Sequence, residues 1–185
     1  MRKAFTLMEV NLAILIMTGG VLSILGLYSL GYRETDQSRE DVQSAIYADA
    51  VISPLVRVLS SPDVAWRAFS ELKNYPEGDA GWGGYIDSDG EIDDNLDSKA
   101  KGAFDGLVND VKKGYKGTPP QISWPSDSFG LNAGLVILHE EGSSVVKIGF
   151  RASKKPEELF AMPLYYTEVR FQGHFDKSSQ NGDQE

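Results

Sequence analysis

Residues 12–30 read LAILIMTGGVLSILGLYSL, an apolar run without a single charged side chain. At about 1.5 Å of rise per residue a helix of this length spans roughly 28 Å, enough to cross the hydrocarbon core of a bilayer. The residues ahead of it, Met1-Arg2-Lys3, are basic, so the positive-inside rule keeps the start of the chain in the cytoplasm and sends the remainder outward. That remainder is acidic. The 185 residues carry 18 Lys and Arg against 27 Asp and Glu, a formal net charge of −9, which argues against nucleic acid as a partner because phosphate binding is built on excess cations. Cysteine is absent, which excludes disulfide frameworks, thiolate metal sites and thiol nucleophiles. The two histidines, His139 and His174, have no ligand spacing and read as structural.

An ordinary secretory signal also starts basic and turns apolar, but its apolar core covers about 7–15 residues. The run here is longer, and its one small-x-small exit is Ser29-Leu30-Gly31. Glu9 adds a carboxylate between the basic start and the apolar run. An ionisable group in a membrane segment costs at least ~2.5–3.5 kcal/mol, so it calls for a partner or a function. The simpler reading is a first-turn acid that favours the helix macrodipole.

The string Arg2-Lys3-Ala4-Phe5-Thr6-Leu7-Met8-Glu9-Val10, followed at once by the apolar run, resembles the N-terminus of type IV pilin-like precursors. The resemblance rests on under a tenth of the chain. It implies a leader of residues 1–4 cut by prepilin peptidase between Ala4 and Phe5, methylation of the new Phe5 amine, and a docking role for Glu9. In that role Glu9 neutralises the Phe5 ammonium of a neighbouring subunit inside a filament core. The family usually carries Gly before the cut; here Ala4 stands in its place. The implied partners are prepilin peptidase, other pilin subunits and an inner-membrane assembly platform. The implied location is the cytoplasmic membrane as a single-pass precursor with its head outside, then a periplasmic or cell-surface filament. Minor pilins and secretion pseudopilins fit better than a bulk pilin. The rival expectation is a binding module, either held by an uncleaved anchor or released after Gly31.

Residues 5–31 form the hydrophobic half of a long helix on this reading. Gly19-Gly20 and Gly26 are either soft points, each costing about 1 kcal/mol relative to Ala, or sites of close helix packing. Residues 32–60 continue as an amphipathic half, with Val42, Ala45, Ile46, Ile52, Val56 and Leu59 at helical spacing. Pro54 is expected to kink this helix or remove one of its hydrogen bonds. The head then covers residues 61–176. Ser61-Pro62-Asp63 signals a second helix to about Asn74, and residues 76–130 read as an irregular, Gly/Asp/Pro-rich insertion with one helix between Leu96 and Tyr115. Leu135–His139, Val145–Arg151 and Tyr165–Phe171 alternate as strands, with Glu140-Glu141-Gly142-Ser143 as a hairpin turn. The fold class is therefore α+β: a long N-terminal helix and an antiparallel sheet of three or four strands. The polar tail 177–185 lacks the apolar residues to order itself.

The acidic run from Asp87 to Asp97 resembles the middle of a calcium loop, where alternating oxygens surround a hard cation. With Gly90 as the turn glycine, Tyr85 and Leu96 fall where an EF-hand needs oxygens. Two readings stay open: a looser calcium site using Asp87, Asp89, Asp93 and Asp97, or a solvated acidic loop. No nucleophile elbow, phosphate loop or dinucleotide fingerprint is present, so the expectation is a structural protein, not an enzyme. Lys112-Lys113 with Lys116, and Lys154-Lys155, are the only basic clusters, and they read as solvated helix and turn faces. Trp66, Trp82, Trp124, Tyr85 and Tyr115 are either interaction anchors or packing residues.

Overall fold

A computed structural model describes residues 7–76, 81–125 and 129–175. Three helices, α1 (Leu7–Leu59), α2 (Trp66–Ser70) and α3 (Leu96–Lys113), precede three strands, β1 (Asn132–His139), β2 (Val145–Ser153) and β3 (Tyr165–Arg170), with short 3-10 turns at Trp82–Tyr85 and Pro156–Ala161. The fold is α+β, and the chain divides into two units between Val42 and Gln43. Ala4, Phe5 and the tail 177–185 lie outside the described residues.

The first unit is α1 up to Val42. Between Leu7 and Leu30 its large apolar side chains are exposed, Leu15 at 70% and Leu22 at 63% among them. Two hydroxyls in this stretch bond back into their own helix: Thr18 Oγ1 donates to Ile14 O at 2.8 Å and Ser23 Oγ to Gly19 O at 2.8 Å. Such back-bonding satisfies these two hydroxyls without water.

The second unit starts at Gln43 with the rest of α1. Its buried stripe is Ser44, Tyr47, Ala48, Val51, Leu55, Val58 and Leu59, spaced as one face of a helix. Val42 and Ile46, expected on the packed face, are exposed instead, while Ile52 and Val56 are only partly buried. The aliphatic pattern misplaces the face because an aromatic sets it. Tyr47 stacks on Phe129 with ring centroids 4.5 Å apart and meets Phe150 and Trp124 edge-on, and Ser44 Oγ bonds Tyr165 Oη at 2.9 Å. Pro54 lies inside the helix, which runs on to Leu59.

The second helix is shorter than Ser61 and Pro62 suggest, starting at Trp66 and ending at Ser70. Ser61 Oγ instead accepts the Asp63 N–H at 3.2 Å, and Tyr115 Oη donates to it at 2.7 Å. Val64 and Ala65 are drawn into bridges with Tyr115 and His174, and Tyr75 into one with Ile137. Backbone committed to pairing on both sides of α2 leaves little chain for helix.

The strands form an antiparallel sheet in the order β1-β2-β3, with Leu135 opposite Phe150 and Ile148 opposite Thr167. Gly142, at φ 76°, turns the first hairpin, closed by Ser143 N–H to Glu140 O at 2.8 Å. One face of the sheet joins α1 and α3 in a single core through Phe104, Leu107 and Val111 with Leu135, Ile137, Ile148 and Phe150. The other face is covered by Trp82, Tyr85, Leu96 and Leu159 around Val136. Gly134 makes room there: a Cβ on it would lie 2.9 Å from the Trp82 ring. Residues 76–130 thus supply packing to both faces of the sheet.

The free edge of β1 is sealed group by group. Ala133 N–H donates to Asp97 Oδ1 at 2.6 Å, and His139 N–H to Asn74 Oδ1 at 2.7 Å. Ile137 exchanges both backbone bonds with Tyr75. Leu135 N–H donates to Tyr85 Oη at 2.8 Å, and the same hydroxyl donates to Leu135 O at 2.6 Å. An unsealed edge is a template for aggregation. β3, the opposite edge, shows exposed Glu168 and Arg170, the charged alternative to sealing.

Candidate functional site

Glu9 sits in the first turn of α1 on an exposed helix surface beside Val10, Ala13, Ile14 and Met17. The apolar window that follows is long enough to cross a membrane, and none of its residues is buried. The carboxylate therefore opens a helical segment that has no core of its own. Ala4 and Phe5, the expected cleavage and methylation positions, lie outside the described residues.

The acidic loop is held by its own carboxylates. Asp87 Oδ1 accepts the N–H groups of Asp89 and Glu91, each at 2.9 Å, around Gly90 at φ 84°. Asp93 takes Lys99 Nζ at 2.8 Å and Asn95 N–H at 2.6 Å. The hydrogen bond from Lys99 is the main cause holding Asp93 below the usual carboxylate range, followed by the bond from Asn95. Asp97 seals the edge of β1 through Ala133. The four calcium candidates Asp87, Asp89, Asp93 and Asp97 are thus not drawn to one point. Among the described residues no group of three His, Asp or Glu side chains is placed to hold a metal ion.

Other singled-out residues serve the packing. Trp66 meets Phe171 edge-on at 5.0 Å, and Trp124 meets Phe104 at 5.6 Å. Tyr85 is fully buried, and that burial pushes its hydroxyl far above the ordinary tyrosine value. Arg151 stacks over Trp82 at 5.3 Å and donates to Phe160 O. Buried His139 has Nδ1 3.0 Å from Leu72 O and Nε2 3.0 Å from Ser143 O, which ties the exit of α2 to the first hairpin.

A feature that local sequence does not announce is an open cleft of about 640 Å³ between α2 and the C-terminal end of α3. Lys113 and Lys116 reach it from one segment, Arg67 and Lys73 from another. The only sequence signal was the Lys112-Lys113-Lys116 cluster.

Set against known proteins, the chain matches no family model, no curated protein and no solved structure.

Proposed function

We propose that this chain is a pilin-like structural subunit, cut by prepilin peptidase between Ala4 and Phe5 and assembled through its N-terminal helix into a pilus or secretion-type filament. The observation that carries the reading is Glu9, an acid at the head of an exposed apolar helix, in a sequence context that resembles the pilin N-terminus. In a bilayer the apolar side chains from Leu12 to Leu30 are satisfied by lipid; in a filament they are satisfied by the same segment of neighbouring copies. Moving between those environments leaves the head unchanged and requires a marker of register. A carboxylate that must find an ammonium in a low-dielectric setting supplies one, because a mismatch leaves a buried charge unpaired. The assembly platform and further pilin subunits are the partners this implies, and a minor or pseudopilin role fits the chain better than a bulk one.

Two measurements test it. Mass spectrometry of the N-terminal peptide from protein made in its own cells is expected to find N-methylated Phe5; a peptide starting at Met1 or Tyr32 instead supports an anchored or secreted binding module. Glu9→Ala is expected to abolish filament incorporation while leaving the precursor in the membrane. Unaffected assembly would remove the docking role.

A further inference from the structure

We propose that His139 is a proton-operated clamp: charged, it ties the exit of α2 to the first hairpin turn through both ring nitrogens; neutral, it keeps its hold on α2 and releases the turn. The ring is buried and meets Phe69 edge-on, with centroids 5.7 Å apart. Nδ1 stands 3.0 Å from Leu72 O and Nε2 3.0 Å from Ser143 O. A carbonyl oxygen accepts hydrogen bonds and has no proton to give. Neutral imidazole carries one N–H, so it satisfies one of these contacts and sets a nitrogen lone pair against the other carbonyl. Imidazolium donates to both.

The backbone that carries the ring is held whatever its charge. His139 N–H donates to Asn74 Oδ1 at 2.7 Å, and Ile137 exchanges both backbone bonds with Tyr75. The two carbonyls that face the ring are not equivalent. The contact with Leu72 O is buried, whereas that with Ser143 O is only partly so. Ser143 O, in a turn whose Glu140, Glu141 and Gly142 are exposed, can take water in place of the ring; Leu72 O would be left unsatisfied, at a cost. Loss of a proton to solvent therefore comes from Nε2, and the turn is the side that loosens. A weaker link to α2, Gly142 N–H to Ser70 O at 3.2 Å, loosens with it.

Burial disfavours a charged ring, and the two carbonyl acceptors offset that cost. Glu140, Lys147 and Glu168 line an open cleft of about 440 Å³ beside the ring, two carboxylates to one ammonium, and Glu168 also accepts the Tyr166 hydroxyl at 2.6 Å. On the α2 side, Glu71 and Lys73 flank Leu72 and line the separate cleft toward α3. The charged ring fits the folded head better than the neutral one. The stability it adds is full below about pH 6.5, where a histidine in an unfolded chain is charged as well, and is lost as pH rises from there.

The test uses the full chain in detergent micelles with isotope-labelled histidine. Ring nitrogen–proton spectra are expected to show His139 protonated on both nitrogens at about pH 5.5 and on Nδ1 alone once it is neutral. Hydrogen-exchange protection of the Gly142 and Ser143 amides, corrected for the intrinsic pH dependence of exchange, is expected to fall several-fold across the same step. The head is expected to melt several degrees higher at about pH 5.5 than at about pH 8. That difference is expected to disappear in His139→Gln and to survive in His174→Gln, which also assigns the ring signals. A folded chain whose His139 is neutral at the acid end, or carries its remaining proton on Nε2, overturns the clamp. So does turn protection that ignores pH, or a melting difference that persists without His139. If His139→Gln does not fold, the spectra and exchange of the unsubstituted chain decide.

Discussion

Leu15, in the first unit, is 70% exposed, and Leu135, in the second, is 0% exposed. The two side chains are chemically identical; what differs is whether the chain supplies neighbours. In the head, α1 beyond Gln43, α3 and the sheet cover one another's apolar faces. Between Leu7 and Leu30 the helix has exposed apolar side chains, and none of the described elements covers them. Leaving them in water, at ~1.5–3 kcal/mol for each large side chain, costs on the order of 20 kcal/mol or more. On the proposed reading, lipid in the precursor and other copies in the filament supply the missing neighbours.

The contrast is best broken at its strongest point. Ile16→Arg combined with Leu22→Arg introduces two charges at about 2.5–3.5 kcal/mol each. The doubly substituted chain is expected to leave the membrane fraction on carbonate extraction, with the melting of the head unchanged. Phe104→Ala is the converse. It removes a fully buried ring from the head and is expected to cost about 3–5 kcal/mol, read as a lower urea midpoint, while membrane retention stays as it was. Equal effects of these changes on both readouts would mean that the two units are not independent.

Tyr85→Phe sharpens the comparison inside the head. It orphans both the N–H and the C=O of Leu135 in a buried setting, and an unsatisfied buried group costs about 1–3 kcal/mol. The expected result is a lower melting temperature with unchanged secondary structure.

The smallest effect is one of pH. Hydrogen bonds from Lys99 and Asn95 lower Asp93, and at Asp110 burial pulls upward but is outweighed by the bonds from Lys113 and Tyr75. A carboxyl lowered in the folded state contributes stability that is present above its unfolded value, near 3.8, and is lost as pH falls through its folded value. The head is therefore expected to weaken below about pH 4, with a shallower fall in Asp93→Asn. Calcium, added at neutral pH, is expected to leave the melting temperature where it is, because Asp87, Asp93 and Asp97 already have partners; a rise would signal binding to the native state.

Much of this was legible in one dimension. The run from Leu12 to Leu30 declares its apolar environment because every residue in it says the same thing. Glu9 stands out because a charge there is costly, and the strands and α3 follow from local periods of 2 and 3.6 residues. The acidic loop was legible as acidic, but its use was not: Asp97 read either as a cation ligand or as a solvated acid, and it seals a strand that begins 35 residues later.

What tertiary structure alone decided has one physical cause, which is that the deciding partner is remote in sequence. Tyr47, and not Val42 or Ile46, orients the packed face of α1 because Phe129 and Phe150 stand opposite it. α2 is shortened because Tyr115, His174 and Ile137 claim the backbone on either side. The cleft at the end of α3 exists only because Arg67 and Lys73 are folded against Lys113 and Lys116. Periodicity reports which residues share a face, whereas the choice of face depends on side chains that arrive from elsewhere in the chain.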